Sequence, residues 1–147
     1  YRSGLTIVVP KENKAGIQDF DDLKGKRISV QLGSTSMTYA KSIEGAKVTT
    51  FASAGDAILN MLAGNADAVI NDKPVTDYLR SRNESIAENT LHLSPIATAD
   101  QFAMVTTKEN AKLNDEMSAA LKTLKANGTF EKLHQKWFGR PADPDLP

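Results

Sequence analysis

The sequence predicts an α/β fold: a Rossmann-like lobe with a largely parallel sheet flanked by helices, plus two C-terminal helices. Three observations predict it. Short apolar, β-branched runs alternate with helix-period segments through most of the chain. Glycine or proline punctuates most changes of element. The last two periodic segments, near 110–127 and 129–138, are helices with no strand after them.

The elements follow in order. Residues 5–9 (LTIVV), closed by Pro10, are a strand by composition. A polar loop covers 11–17, and 19–23 (DFDDL) is a helical turn with acids at its start, ended by Gly25. Residues 26–32 form a second strand. The stretch 34–43 is a helix with Met37, Ala40 and Ile43 facing inward. Residues 46–51 form a third strand. The clearest helix is 53–64 (SAGDAILNMLAG): Ser53 caps it, Ala57, Ile58, Met61 and Leu62 make its apolar stripe, and Gly64 stops it. A short buried strand, 66–70, is followed by the loop Asn71-Asp72 and a helix over 75–81 that Pro74 starts. Residues 83–89 read as a polar loop, 90–93 as an edge strand, and 101–107 (QFAMVTT) as a further strand. In the long helix, Leu113, Met117, Ala120, Leu121 and Leu124 share one face. The final helix carries Phe130, Leu133, Trp137 and Phe138, and the tail 140–147 is Pro- and Asp-rich and expected to be flexible. The apolar faces of the two last helices need a surface that the chain itself does not obviously supply.

Composition narrows the function. The 147 residues carry 18 basic and 18 acidic side chains, so net charge offers no case for nucleic acid or an anionic membrane. There is no cysteine, which excludes disulfides and thiolate metal sites. No apolar run is long enough to span a bilayer. His92 and His134 lack ligand spacing and read as surface or rim residues, and no metal or cofactor is expected. The acidic residues read as solvated helix faces. The GK[ST] ending of a nucleotide loop, a GxGxxG and a GxSxG are all missing. The start, YRSGL, has no initiator Met and reads as a processed or cut end, with Tyr1 either a pocket aromatic or a disordered terminus.

Chemistry concentrates at two turns. In ISVQLGSTS, a strand runs through the single glycine Gly33 into Ser34, Thr35 and Ser36 at a helix start. Backbone N–H groups and hydroxyls there either cap the helix or hold an anion. Asn71 and Asp72 follow the 66–70 strand and lie before another helix. In open α/β sheets, ligands bind beyond the carboxyl ends of strands. If the two strands are parallel neighbours, one turn offers donors to a carboxylate and the other offers Asp72 to an ammonium. That pairing is what a zwitterionic amino acid requires. Gln31, just before the turn, is placed to line the pocket.

These residues resemble a known family. YRSGL, DFDDLKGKRISVQLGSTS, AGDAILNMLAGNADAVINDKPVTDYL and ALKTLKANGTFEKLHQKWFG are similar to the C-terminal half of periplasmic polar amino-acid-binding proteins of ABC importers, the solute-binding protein family 3 with the type II periplasmic-binding fold. The resemblance runs in family order over nearly the whole chain. It implies two lobes joined by crossing strands, with ligand in the cleft. Residues 1–4 would end the first crossing, 5–98 would be the second lobe, and 99–139 would be the return crossing and helices that belong to the first lobe. Gln31, Gly33, Ser34, Thr35 and Ser36 would contact the ligand carboxylate or side chain. Asp72 would pair with the α-ammonium, and Asn71 would contact the side chain. Thr35 stands where some members have a second glycine.

The resemblance implies a non-enzymatic receptor outside the cytoplasm, periplasmic or extracellular, lipid-anchored in Gram-positive bacteria. Its ligand would be a polar amino acid, with glutamine and the basic amino acids the classes indicated. Its partners would be the membrane subunits of an importer, and a first lobe or a second copy to cover the C-terminal helices. The competing readings are a sensing module of a membrane receptor and a dehydratase-like enzyme on the same fold.

Overall fold

The computed structural model describes residues 2–98 and 100–142. Its centre is a five-stranded open sheet of β2 (Leu5–Pro10), β3 (Arg27–Gln31), β4 (Lys47–Phe51), β5 (Ala68–Asp72) and β6 (Thr90–His92), in the order β4-β3-β5-β2-β6. β3 pairs in parallel with both β4 and β5. β2 is antiparallel to β5 and to β6. The sheet is therefore mixed: its parallel part is the β4-β3-β5 group that carries both candidate turns, and β2 runs against it. A separate two-stranded ladder joins β1 (Arg2–Ser3) to β7 (Asp100–Gln101).

Period-two alternation divides the core between the two faces of the sheet. Leu5, Ile7, Val9, Ile28, Val30 and Ile70 point to one side, where Ala40 of α1 (Thr35–Ser42) is buried and Met37 and Ile43 pack against the cluster. Val8 and Val69 point to the other, against Ala57, Ile58 and Met61 of α2 (Ala54–Leu62). Ser53 caps α2 by accepting from the Asp56 N–H and donating to the Asp56 carboxylate. The 19–23 turn is a 3-10 helix, Phe20–Leu23, capped by Asp19.

Three sequence expectations change. Strand β5 starts two residues later than composition suggests and continues through Asn71 and Asp72, because β2 hydrogen-bonds along it, pairing Thr6 with Asn71 and Leu5 with Asp72. α3 (Lys73–Arg82) follows without a loop, with Pro74 in its first turn. The expected loop at 83–89 is the helix α4 (Glu84–Asn89): the Asn83 side chain accepts the Ile86 N–H, and buried Ile86 anchors the turn to the core. A single apolar residue among polar ones carries no periodicity, so that helix is invisible to pattern reading. The expected strand at 101–107 is extended pairing only at Asp100–Gln101. Beyond it Phe102, Met104 and Val105 are exposed, Val105 at 91%. Strand propensity without a partner strand does not make a strand.

The C-terminal helices are α5 (Ala111–Ala126) and α6 (Thr129–Phe138). α5 buries no residue, and Leu113 and Leu121 stay 44% and 40% exposed. α6 instead packs on α3. The Ser81 hydroxyl donates to the Trp137 carbonyl at 3.0 Å, and the Tyr78 and Trp137 rings lie 6.4 Å apart. Among the described residues no helix is long and apolar enough to cross a membrane. Tyr1, Ala99 and the last five residues of the tail, expected at the sequence level to be an aromatic or free end, part of a crossing and a flexible tail, lie outside the described residues.

Candidate functional site

β3 and β5 are parallel neighbours, in register Ile28 to Ala68 and Ser29 to Val69. Their carboxyl ends therefore open on one edge of the sheet, and the two candidate turns face the same side. At the first turn, Gly33 takes φ 72°, a left-handed conformation in which an L side chain would be strained. This sharp exit lets the chain leave β3 and enter α1 at once.

Ser34 is the N-cap of α1. Its Oγ accepts the Met37 N–H at 3.1 Å and donates to the Gln31 carbonyl at 2.7 Å. The Ser36 hydroxyl, 1% exposed, lies 2.8 Å from Ser34 Oγ. The capping role is therefore met. The backbone N–H groups of Thr35 and Ser36, the next two donors, have no acceptor among the described residues. Thr35 is exposed, and Gln31 sends its side-chain amide to the Ala52 carbonyl at 3.4 Å. Leu32, 63% exposed, is held by its N–H to the Phe51 carbonyl at 2.8 Å. The edge thus presents a helix N-terminus with open donors beside one apolar side chain.

At the second turn, Asp72 ends β5 and is the N-cap of α3, with no side-chain capping bond. The two acids of this region behave differently. Asp72 is partly exposed at the edge, whereas Asp77, one turn later, is 8% exposed. Asn71 turns inward: it is 3% exposed, and its amide donates to Thr76 Oγ1 at 3.3 Å. The structure therefore brings Gln31, Gly33, Ser34, Thr35, Ser36 and Asp72 to one edge. It commits the Asn71 side chain to the interior of the lobe.

Sequence reading missed a polar network immediately behind this edge. Asp77 meets His92 Nδ1 at 3.1 Å, Arg140 Nη1 at 3.1 Å and Lys73 Nζ at 3.4 Å. His92 Nε2 lies 2.8 Å from Thr6 Oγ1, and the Thr6 hydroxyl is 3.2 Å from the Asn71 carbonyl. His92 is partly buried, within the surface-or-rim expectation, whereas His134 is not at the surface. His134 is 3% exposed, with Nδ1 2.8 Å from the Arg140 carbonyl. Asp77 likewise departs from the expectation that acids lie on solvated faces. The local signal for this network is the i,i+4 spacing of Lys73 and Asp77; its other members are far apart in sequence.

The far end of the sheet is different. A concavity of about 420 Å³ there is lined by Lys11, Arg27, Met61, Gly64, Asp67 and Asn89 among others. On its polar wall Arg27 and Asp67 are paired with each other. Arg27 Nη2 meets Asp67 Oδ1 at 2.6 Å, and Arg27 Nη1 donates to the Gly64 carbonyl at 3.0 Å. The hydrogen bond from Arg27 holds the Asp67 carboxyl below the usual carboxylate range, against the opposing effect of its partial burial. Among the described residues no three His, Cys, Asp or Glu side chains are grouped to hold a metal ion.

Comparison with known proteins agrees with this architecture. The family model of bacterial extracellular solute-binding proteins, family 3, matches residues 1–140. The arginine-binding periplasmic protein of Mannheimia haemolytica is 35% identical over 124 residues, covering 83% of this chain and 52% of that protein. The chain spans about half the length of the curated relatives it matches. Among solved structures, an ancestral cationic amino acid solute-binding protein superposes with TM-score 0.79 at 32% identity, over 94% of this chain and 59% of that one. An ancestral arginine-binding protein bound to glutamine gives TM-score 0.74 at 32% identity, over 95% of this chain and 61% of that one.

Proposed function

The chain belongs to the bacterial extracellular solute-binding proteins, family 3, and we propose that it forms the ligand-closing second lobe of an amino-acid receptor serving an ABC importer. The observation that carries this reading is the parallel pairing of β3 with β5, which brings the α1 N-terminus and Asp72 to one edge. A zwitterion presents a carboxylate and an ammonium a few bonds apart. In the proposed complex the Thr35 and Ser36 N–H groups, with the hydroxyls of the turn, receive the carboxylate, and Asp72 receives the ammonium. Gln31 lines the side-chain end. Asn71 supports from behind, through Thr76, in place of the direct contact expected from the sequence.

The division of the chain follows the same reading. Residues 5–98 are the lobe, and the β1–β7 ladder is the pair of crossing strands. The hairpin of α5 and α6 carries an open apolar face for a first lobe. Relatives of this chain include proteins named for arginine and for cystine, and one arginine-binding relative was solved with glutamine. A polar amino acid, basic or glutamine-like, is accordingly the proposed ligand. The family is one of extracellular solute-binding proteins, which supports a site of action outside the cytoplasm and a role in binding and delivery.

Calorimetric titration of arginine and glutamine into a two-lobe protein containing this chain tests the reading. Asp72→Asn is expected to weaken binding at least about tenfold, since a charged hydrogen bond contributes roughly 1.5 kcal/mol or more. Unchanged affinity would remove Asp72 from the site and the reading with it.

A further inference from the structure

Asp77 is encircled by Lys73, His92 and Arg140, so its carboxylate acts only as an acceptor. His92 Nδ1 therefore carries a hydrogen whether the ring is neutral or charged. The other ring nitrogen, Nε2, faces Thr6 Oγ1 at 2.8 Å. Thr6 is 1% exposed and has a single hydroxyl hydrogen. That hydrogen has two acceptors in reach, Nε2 of neutral His92 and the Asn71 carbonyl at 3.2 Å.

We propose that His92 is a proton-operated positioning residue: the charge of its ring decides whether the Thr6 hydroxyl bonds to His92 or to the carbonyl that precedes Asp72. With a neutral ring, Thr6 donates to Nε2, and the Asn71 carbonyl loses that bond. With a charged ring, Nε2–H donates to Thr6, and Thr6 passes its hydrogen to Asn71. Each state leaves Asp77 bonded to Nδ1–H. The charged groups that face the ring are Asp77 on α3, with Lys73 and Arg140 at the same carboxylate, and Arg80 on α3, which bonds Thr90 two residues before His92. Imidazole is the side chain suited to switch between about pH 5 and 8. The consequence for ligand binding rests on Asp72 belonging to the site; the toggle itself does not.

Nitrogen NMR of the 147-residue chain, with no ligand present, tests the toggle between about pH 8 and pH 5. At the upper pH, Nδ1 should be protonated and Nε2 should be an acceptor. On acidification Nε2 should gain its proton, and the carbonyl-carbon shift of Asn71 should move with the same midpoint. Thr6→Val should keep the His92 transition and lose the Asn71 response, and Thr6→Ser should retain both. An Nε2–H tautomer at the upper pH, absence of an Nε2 transition, or an Asn71 shift that does not follow it would each overturn the proposal. If Thr6→Val does not fold, the wild-type coupling together with Thr6→Ser decides. Because no ligand is used, failure of the receptor reading in calorimetry and failure of the toggle are separate results.

Discussion

At the residue scale, one side chain can serve both fold and site. Ser34 caps α1 through Met37, ties the helix back to Gln31, and lies 2.8 Å from the Ser36 hydroxyl. Ser34→Ala is expected to lower stability by about 1 kcal/mol, the usual cost of an N-cap, measured by urea denaturation. Asp67 makes a different kind of contribution. Its carboxyl is held down by Arg27, so the folded state favours the ionised form more than the unfolded chain does. A depressed carboxyl stabilises above its unfolded value and loses that effect as pH falls through the folded one. Asp67→Asn should therefore lower the thermal midpoint at neutral pH. The gap from wild type should close below about pH 4, where the unfolded carboxylate protonates.

At the element scale, α3 joins the candidate edge to the C-terminal helices. Its first residue follows Asp72, its middle holds Asp77, and its last turn packs on α6 through Tyr78 and Ser81. Arg82 lies 5.2 Å from the centre of the Trp137 ring, adding a cation–π contact at the same junction. Gly139 then turns the chain out of α6 at φ 70°, close against Ser81, and delivers Arg140 to Asp77. Asp77→Ala leaves Lys73, His92 and Arg140 without their shared counter-charge. Loss of one partner in a buried ion pair costs roughly 3–5 kcal/mol. Hydrogen exchange should show α6 losing protection in this variant. Retained protection of α6 would mean that ring packing alone docks the helix.

At the scale of the whole molecule, stability and assembly separate. The lobe core of Ile7, Ile28, Ile58 and Ile70 is fully buried, whereas α5 buries nothing. Replacing Leu113 or Leu121 by Lys should change the stability of this chain by no more than about 0.5 kcal/mol each, as for ordinary surface positions. If the proposed receptor reading holds, the same changes weaken docking of a separately supplied first lobe, read by titration of the two pieces. Gly4 sits at a close approach of two chain segments: a Cβ there would lie 1.9 Å from the Thr98 carbonyl oxygen. The two strand exits touch backbone to backbone, which is why this position excludes a side chain.

The legible parts of the chain were those whose cause is local. Apolar spacing placed the strands and α2. Ser53, Gly33 and Pro74 announced their turns because capping and left-handed geometry depend on a few consecutive residues. The motif order also carried the family. Tertiary structure alone decided what depends on partners distant in sequence. Pairing with β2 drew Asn71 and Asp72 into a strand and turned the Asn71 side chain inward. Residues 102–107 carry strand propensity but form no strand among the described residues. Asp77 gathered His92 from another strand and Arg140 from near the end of the chain, because a buried charge requires counter-charges wherever the fold can bring them. The sequence by itself determined most of the strands and helices and the turn at Gly33; the shared edge, and the network behind it, exist only because β3, β5 and β2 lie side by side.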